Sequence, residues 1–415
     1  MNNKSRYIFF ICILPLLFLA SCEDTNNEAN VVAERFDITR IEVKSTGSAD
    51  QSQPEIIRFV SDTKGVVVNS MQKTLDFFTI SGTGITMTNE QVQLTDSEDA
   101  DASSVDVSVD ETIIAAVVTK GACVRGELYL VDVATNTKNG PYELGYNPDA
   151  VDISADNKYV VVVNEFDYDD AIDGSCDAVN YPGVTIYDIS SGLANAVLVK
   201  DMKITHRGSN NDLAEPEGVK IAPDGETVFM TLQESNEIGW FSLSDPSMIP
   251  DTLQYRTTLV DGHKPDGIYV SNDQSFICTA GEIGGQIGII MLDGENGTPG
   301  TQYYANLSED LPATWDWNDE PKGIEPEEIT VVEQDGKIFA LTTLQDPSAV
   351  VVYNITDPAN PVYDSGAITE LNDYTQQENG ESAGEAEGLD YRNGFVLIAN
   401  TKDPSVALFK ASWVD

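Results

Sequence analysis

The amino-acid sequence predicts an all-β protein, a seven-bladed β-propeller that is closed by an N-terminal strand. Three observations support this prediction. A β-hairpin pattern recurs along most of the chain, most copies are followed by a third strand with a hydrophobic centre, and one strand-like segment precedes the first copy. Self-similarity at a period of tens of residues is typical of repeat folds, because one repeat cannot bury its apolar faces alone.

The hairpin pattern is clearest at residues 219–230. Val219 and Ile221 alternate with polar neighbours, residues 223–225 have the Pro-Asp-Gly composition of a turn, and residues 228–230 form the return strand. The seven copies begin at Pro54, Ala102, Pro148, Pro216, Pro265, Pro326 and Ala386. Radial stacking of seven such units leaves only short, protected sheet edges, so the copies predict seven blades of three or four strands.

The closure of the ring is predicted from the two ends of the repeat region. The last copy stops soon after its third strand, at residues 413–415, whereas residues 36–43 have strand composition and no hairpin partner of their own. We expect this early segment to complete the final blade. The propeller is therefore assigned to residues 36–415.

The first residues have the composition of an export signal rather than of folded structure. Lys4 and Arg6 precede an apolar run at residues 7–18, and residues 19–22, Leu-Ala-Ser-Cys, form a bacterial lipobox. Residues 1–21 are thus predicted to be a lipoprotein signal peptide and Cys22 the lipidated first residue of the mature chain. An ordinary signal peptide and a transmembrane helix are the alternatives, although the run is short for a span of about 20 apolar residues.

This assignment predicts where the protein resides. Residues 22–35 would be a flexible, lipid-anchored tether. We expect an outer-membrane lipoprotein that is attached to the membrane through Cys22, and the side of the membrane that it faces stays open. Glu23 and Asp24, directly after the cysteine, resemble the acidic export tag of surface-exposed lipoproteins of the Bacteroidetes.

The charge balance excludes some partners. The chain has 69 acidic and 23 basic residues, a formal net charge of −46. Such a charge repels nucleic acid and anionic membrane surfaces, and it favours cations and basic partners. We expect a monomeric propeller that does not bind nucleic acid.

Two cysteines are predicted to form a disulfide. Cys123 and Cys176 follow the second strands of consecutive blades, so both lie in loops on the same face, and an exported protein can form the bond. Cys278 lies within a strand pattern and is expected to be a buried hydrophobic residue.

A recurring acid predicts a cation site. The innermost strand of each blade starts at the top face and lines the central channel, and six of the seven strands begin with a carboxylate. These acids are Glu55, Asp149, Glu217, Asp266, Glu327 and Glu387, with Ser103 in the second copy. Second strands return to the same face and bring Glu165 and Glu234 there. Crowded carboxylates repel, so some must bind a cation or keep protons, and many oxygen ligands suit Ca²⁺. Alternatively, the acids only accept hydrogen bonds from loop amides.

Two further residue pairs are candidates on the top-side connections. Trp315 and Trp317 could stack on a sugar or another flat ligand, or they could seal their loop onto its own blade. His206 and His263 could each act as a general base, although a loop histidine is more often only solvated.

The repeats resemble the choice-of-anchor I domain, a propeller-like family of secreted and surface-anchored bacterial proteins. The resemblance covers roughly residues 50–412. It rests on the sequence motifs at residues 147–149, 213–218, 264–268, 323–327 and 353–358. It implies a surface-anchored propeller. Family members are often labelled phosphatase-like because some are joined to phosphoesterase domains, and no such domain fits this chain.

A scaffold for an envelope complex is one function that these observations allow, and two more specific functions are also compatible with them. The first is a non-enzymatic surface lipoprotein that binds a cation, most simply Ca²⁺, at the acidic channel mouth and thereby a polysaccharide or an envelope protein. The alternative is a metal-dependent hydrolase, phosphoesterase-like or lactonase-like, with Glu217, Asp266, Glu327 and Glu387 as ligands and a histidine as base.

Overall fold

The computed structural model describes residues 35–121, 123–166, 181–205, 214–293, 297–312, 315, 323–370 and 384–414. Arg35–Val414 form one compact unit. Within this described part of the chain, no helix has the length and apolar character needed to cross a membrane.

The described strands form seven antiparallel sheets of four strands each. The chain begins with β1 (Arg35–Ser45). Blade 1 follows with β2 (Pro54–Ser61), β3 (Lys64–Asn69), β4 (Thr74–Ser81) and β5 (Gly84–Gln93). Blade 2 consists of β6 (Asp101–Val107), β7 (Ile113–Thr119), β8 (Arg125–Asp132) and β9 (Thr137–Tyr146). Blade 3 consists of β10 (Pro148–Ile153), β11 (Tyr159–Asn164), β12 (Gly183–Asp188) and β13 (Val197–Lys203).

The remaining blades repeat this order. Blade 4 consists of β14 (Val219–Ile221), β15 (Thr227–Leu232), β16 (Glu237–Ser242) and β17 (Tyr255–Thr258). Blade 5 consists of β18 (Pro265–Val270), β19 (Phe276–Gly281), β20 (Gln286–Asp293) and β21 (Thr298–Asn306). Blade 6 consists of β22 (Pro326–Gln334), β23 (Lys337–Leu344), β24 (Ala349–Asn354) and β25 (Val362–Ile368). Blade 7 adds β26 (Ala386–Arg392), β27 (Phe395–Asn400) and β28 (Ser405–Val414). Short 3₁₀ turns occur at Leu193–Asn195, Pro246–Met248 and Leu307–Glu309.

The N-terminal strand completes blade 7, which confirms the predicted closure. Strand β1 pairs antiparallel with β28, and Phe36 lies opposite Trp413. The Phe36 ring is fully buried and stacks on Phe339 of blade 6 at 4.5 Å. Its backbone N–H donates to the Asp364 carboxylate at 2.9 Å. The strand is therefore held by its own sheet and by the neighbouring blade.

The apolar cores lie between neighbouring blades. All six residues of β11 are buried, and Val161 and Val163 belong to the same apolar cluster as Met230 and Leu232 of β15. A strand covered on both faces reads as a continuous apolar run instead of alternating. The second strand of blade 3 is accordingly an unbroken apolar run, Tyr-Val-Val-Val-Val, in the sequence.

A β-bulge recurs at the start of the innermost strand. In blade 3 the pairing of β10 with β11 shifts between Pro148 and Val151, and five other blades show an equivalent shift. A bulge inserts one extra residue, so side chains three positions apart point to the same side of the strand. Asp149 and Asp152 consequently both face the central channel.

Candidate cation site at the mouth of the central channel

The same backbone hydrogen bond positions the first channel-facing acid in six blades. In blade 3, the Glu165 N–H donates to the Asn147 carbonyl at 2.8 Å, and in blade 4 the Gln233 N–H donates to the Glu215 carbonyl at 2.8 Å. Equivalent bonds join Ser70 to Gln53, Glu282 to Lys264, Gln345 to Glu325 and Thr401 to Glu385. Each bond ties the end of the second strand to the residue that stands two positions before the acid.

The six acids line one cavity of about 290 Å³ at the top of the channel. We call this set the acidic crown: Glu55, Asp149, Glu217, Asp266, Glu327 and Glu387. Ser103 takes the seventh place, and its hydroxyl donates to the Pro148 carbonyl of the next blade at 2.8 Å. The structure thus brings together all six acids that the repeat alignment singled out.

Glycines allow the blades to approach closely enough for this clustering. A Cβ atom on Gly267 would lie 2.3 Å from the Glu327 carbonyl oxygen, and one on Gly388 would lie 2.4 Å from the Glu55 carbonyl oxygen. Such distances are far shorter than van der Waals contact. The residue after the crown acid must therefore lack a side chain in these blades.

Burial and mutual repulsion favour the protonated form of the crown. Each carboxyl group is partly open to the channel but surrounded by protein. Burial, reinforced by the Asp266 charge, raises the pKa of Asp149 to about 8. Burial also raises the pKa of Asp266 and that of Glu387 to about 7, and the pKa of Glu327 rises well above its ordinary value through burial and the charge of Glu387.

The crown also contains shared protons. Asp149 is hydrogen-bonded to Glu217, and Asp266 is hydrogen-bonded to Glu327. Burial and the neighbouring charges of Glu165 and Asp149 raise the pKa of Glu217 well above its ordinary value. Two carboxylates can share a hydrogen bond only when one of them keeps its proton, so without a cation the crown retains protons near neutral pH.

Three carboxylates converge most closely. One oxygen each from Asp149, Glu165 and Glu217 lies within 4.8 Å of the other two. We call these residues the carboxylate triad. The Asn147 amide donates to the Glu165 carboxylate at 2.5 Å and orients it. An arrangement of this size can hold a divalent cation between oxygen ligands.

Glu234, which was predicted as a metal ligand, forms an ion pair in the structure. Its carboxylate accepts a hydrogen bond from the Lys264 ammonium at 2.8 Å, and the same ammonium donates to the Glu234 carbonyl at 2.9 Å. This ion pair neutralises Glu234. Glu282 was not among the predicted ligands, yet its charge adds to the effect of burial on the pKa of Asp266. It also raises the pKa of Glu327, after burial and the charges of Glu387 and Asp266.

The other predicted site residues are placed as follows. His263 is completely buried and packs edge-on against Tyr304. A hydrogen bond of 2.8 Å joins its Nε2 atom to the Thr279 hydroxyl. Burial lowers its pKa to about 4, so His263 is neutral and shielded from substrate. Trp315 packs against the apolar core of blades 5 and 6, as expected for a residue that seals its own loop.

Several predicted residues lie outside the described part of the chain, and their roles stay predictions. These are Cys22, Cys176, His206 and Trp317. Cys123 is disulfide-bonded, whereas its pairing with Cys176 stays a prediction. Cys278 is a buried free thiol, as expected.

A second charged layer below the crown was missed by the sequence analysis. Arg58 lies 3.0 Å from Glu328 and 3.9 Å from Asp106, and Lys220 lies 2.9 Å from Asp152. We call this layer the charged belt: Arg58, Asp106, Asp152, Lys220, Glu328 and Asp390. Four of its members, Arg58, Asp152, Lys220 and Asp390, stand three positions after a crown acid, and Asp106 stands three positions after Ser103. In Asp152 this spacing faces the channel because of the bulge at the start of the strand.

The belt also joins neighbouring blades. The Asp152 carboxylate accepts the Ile221 N–H of blade 4 at 2.7 Å, and the Asp390 carboxylate accepts the Phe59 N–H of blade 1 at 2.7 Å. The Asp106 carboxylate accepts the Ile153 N–H of blade 3 at 3.0 Å. These buried, charge-assisted bonds fix the spacing of the inner strands.

Solved structures share the fold. The chain resembles a catalytically inactive virginiamycin B lyase from Staphylococcus aureus, solved with quinupristin, with a TM-score of 0.59 and 12% identity over 90% of this chain and 99% of that chain. A protein from Lactobacillus plantarum has a TM-score of 0.63 and 14% identity, over 85% and 95% of the two chains. The periplasmic gluconolactonase of Pseudomonas aeruginosa has a TM-score of 0.57 and 14% identity, over 86% and 91%. At such identities the likeness shows the propeller fold alone.

One family model matches part of the chain. A search of curated proteins found no significant match. The family model of the choice-of-anchor I domain matches residues 55–250, which confirms the resemblance seen in the repeats and indicates a surface-associated interaction protein. Residues 55–250 thus match the choice-of-anchor I domain, within a chain that forms a seven-bladed β-propeller.

Proposed function

We propose that this protein is a surface-anchored binding propeller that holds a divalent cation, Ca²⁺ in preference, at the carboxylate triad. The observation that carries the proposal is the convergence of Asp149, Glu165 and Glu217, whose oxygens approach within 4.8 Å. Hard oxygen ligands of this kind are those that Ca²⁺ takes in proteins.

The electrostatics of the crown supports the same conclusion. Burial and like charges hold protons on Asp149 and Glu217, and a divalent cation would relieve that repulsion by displacing the protons. Cation binding would therefore release protons and stabilise the fold.

The triad would leave part of the coordination sphere to other ligands. Ca²⁺ takes about six to eight oxygens, and three side chains supply only some of them. Water, or an oxygen of a polysaccharide or envelope-protein partner, would complete the sphere. The bound ion would thus connect the channel mouth to the partner.

The cellular setting of this proposal is the outer membrane. The choice-of-anchor I match supports a surface-associated protein, and the lipobox that ends at Cys22 would supply the membrane anchor. Protease treatment of intact cells tests exposure: digestion of the propeller places it outside, and protection places it in the periplasm.

Calorimetric titration of metal-free protein with Ca²⁺ tests the cation site. The wild-type chain is expected to bind saturably and to melt at a higher temperature with Ca²⁺, and Glu217→Gln is expected to lose both effects. Glu234→Gln is the matched control, because Glu234 pairs with Lys264 instead. The absence of both heat and thermal stabilisation in the wild type would remove the metal from the proposal.

A metal-dependent hydrolase is the second candidate. The propeller likeness to the Pseudomonas aeruginosa gluconolactonase makes lactones a reasonable substrate class to test, and Glu217, Asp266, Glu327 and Glu387 would be the ligands. The complete burial of His263 disfavours it as the base, which leaves His206 for that role. A screen of lactones and phosphate esters with and without Ca²⁺ distinguishes the two functions, since turnover that Glu217→Gln abolishes would favour the enzyme.

A further inference from the structure

The lower end of the channel contains a second cavity. It has a volume of about 650 Å³ and lies at the carboxyl ends of the inner strands, on the far side of the charged belt from the crown. Arg58, Lys220 and Glu328 line both cavities and separate them. The volume lies within the range of small-molecule sites, about 300–1,000 Å³.

The charges at the inner end of this cavity do not balance. Among the described residues that line it, the belt supplies four carboxylates, Asp106, Asp152, Glu328 and Asp390, against two cations, Arg58 and Lys220. All four carboxylates are largely or wholly enclosed by protein. An excess of negative charge in such surroundings attracts a cation more strongly than the same charges would in water.

The walls of the cavity are partly apolar. Val107, Ile153, Ile221, Val270 and Leu389 line it, together with the polar residues Asn272, Thr330 and Glu333. Tyr269 and Tyr391 lie among them, and Val109, which is 75% exposed, extends the apolar surface outward. A bare metal ion gains nothing from such walls, whereas an organic body loses its contact with water there.

We propose that the lower cavity binds an amphipathic organic cation, a protonated amine carried on an apolar or aromatic body. The ammonium group would face the carboxylates of the belt, and the body would lie against the aliphatic walls. This site differs in position and in ligand chemistry from the cation site of the crown, and it does not depend on that site.

A matched pair of probes tests the proposal. Tryptamine has the required amine and aromatic body, and tryptophol replaces the amine with a neutral hydroxyl. Calorimetry on the mature chain with EDTA present should show tryptamine binding at least about tenfold more tightly than tryptophol, the effect of one favourable charge interaction. Equal affinities for the two probes would overturn the proposal.

Two variants locate the binding. Ile221 lines the cavity and also packs against the apolar core of blades 3 and 4. Ile221→Trp enlarges this side chain without changing the net charge, so it should weaken or abolish tryptamine binding if the probe sits in the cavity, and it should leave binding intact if the acidic surface attracts the probe non-specifically. Glu217→Gln in the crown should leave tryptamine binding unchanged. Binding that survives Ile221→Trp, or that disappears in Glu217→Gln, contradicts the proposed location.

A third variant tests whether tryptamine binding requires the negative charge of the belt. It also keeps the proposal testable if Ile221→Trp does not fold. Asp106→Asn keeps a carbonyl oxygen that can accept the Ile153 N–H but removes one negative charge from the belt. It should weaken tryptamine binding by about threefold to tenfold and leave tryptophol binding unchanged. An unaltered tryptamine affinity in this variant, with a native melting transition, argues against recognition of the ammonium group by the belt.

Discussion

Single residues decide the electrostatics of the channel mouth. Glu217 lies where the triad and the hydrogen-bonded acid pairs meet, and burial with the charges of Glu165 and Asp149 raises its pKa. A glutamine at this position would keep the shape of the side chain and would remove both the proton and the charge. Comparing this variant with wild type, with and without Ca²⁺, therefore separates the destabilisation caused by repulsion from the stabilisation that cation binding provides.

Glu217→Gln should stabilise the metal-free protein and destabilise it relative to wild type when Ca²⁺ is present. When the empty crown forms at neutral pH, Glu217 must either take up a proton or bear the repulsion of its neighbours, and glutamine avoids that cost in free energy. Loss of a ligand, by contrast, weakens binding of the ion and the stabilisation that comes with it. Thermal melts with EDTA and with Ca²⁺ measure both effects. Glu226→Gln, in an exposed turn, is the control and should change neither melt, and a Glu217→Gln variant that is less stable with EDTA contradicts the repulsion argument.

Gly388→Ala should destabilise the propeller by about 1–3 kcal/mol, the usual cost of overpacking. The new Cβ would lie 2.4 Å from the Glu55 carbonyl oxygen and 2.7 Å from the Ile57 nitrogen, so blades 7 and 1 would have to separate. Urea denaturation measures the free energy of unfolding. Gly82→Ala is the control, because no heavy atom lies within 4 Å of its Cβ position, and a comparable loss in both variants would show that close approach is not the cause.

At the scale of the element, β1 determines whether the ring is closed. It pairs along the length of β28 and packs Phe36 between Phe339 and Trp413. A terminal strand usually frays because few contacts hold it. This one carries contacts to two blades, so its removal should open the propeller.

Phe36→Ala should lower the free energy of unfolding by about 3–5 kcal/mol, the range for a buried phenylalanine, and deletion of residues 36–44 should cost more. Chemical denaturation compares both with Val362→Ala, whose side chain is 58% exposed on β25 and should lose little. A deletion variant that melts like the parent would disprove the role of β1 in closure.

The inner strands explain why one charged layer was predicted and the other was not. Crown acids stand at a fixed place in each repeat, beside a proline or alanine that opens the strand, so alignment of the copies finds them. Alternation predicts that channel-facing side chains recur every second residue. The bulge between Pro148 and Val151 breaks that period, so simple alternation does not place Asp152 on the same side of the strand as Asp149.

At the scale of the whole molecule, the raised pKa values predict how stability depends on pH. An unfolded Asp or Glu titrates near about pH 4, whereas burial raises the pKa of Asp149 to about 8 and that of Asp266 to about 7 in the folded protein. Between these limits the folded state binds more protons, so its stability falls as the pH rises. Asp110 has the opposite effect on stability, because hydrogen bonds, the strongest with Asn157, lower its pKa to about 2 in the folded protein. Its contribution to the free energy of unfolding therefore changes only below about pH 4.

The metal-free protein should therefore melt at a lower temperature at about pH 8 than at about pH 5, and Ca²⁺ should reduce the difference. Calorimetric scans at several pH values check this expectation. High salt is the control for general repulsion in a chain of charge −46, because salt screens exposed charges more than enclosed ones. A melting temperature that rises over this interval without metal would contradict the protonated crown.

The sequence by itself determined the number of blades, the strand that closes the ring and the position of the six crown acids. These features repeat along the chain, and a repeat with local turn and strand signals can be read without knowing which residues touch. Only the tertiary structure decided that Asp149, Glu165 and Glu217 converge, that Lys264 neutralises Glu234, and that a charged belt divides the channel. Such contacts join residues from different blades. They depend on how one blade packs against the next and on the bulges in six of the inner strands, so no single repeat shows them.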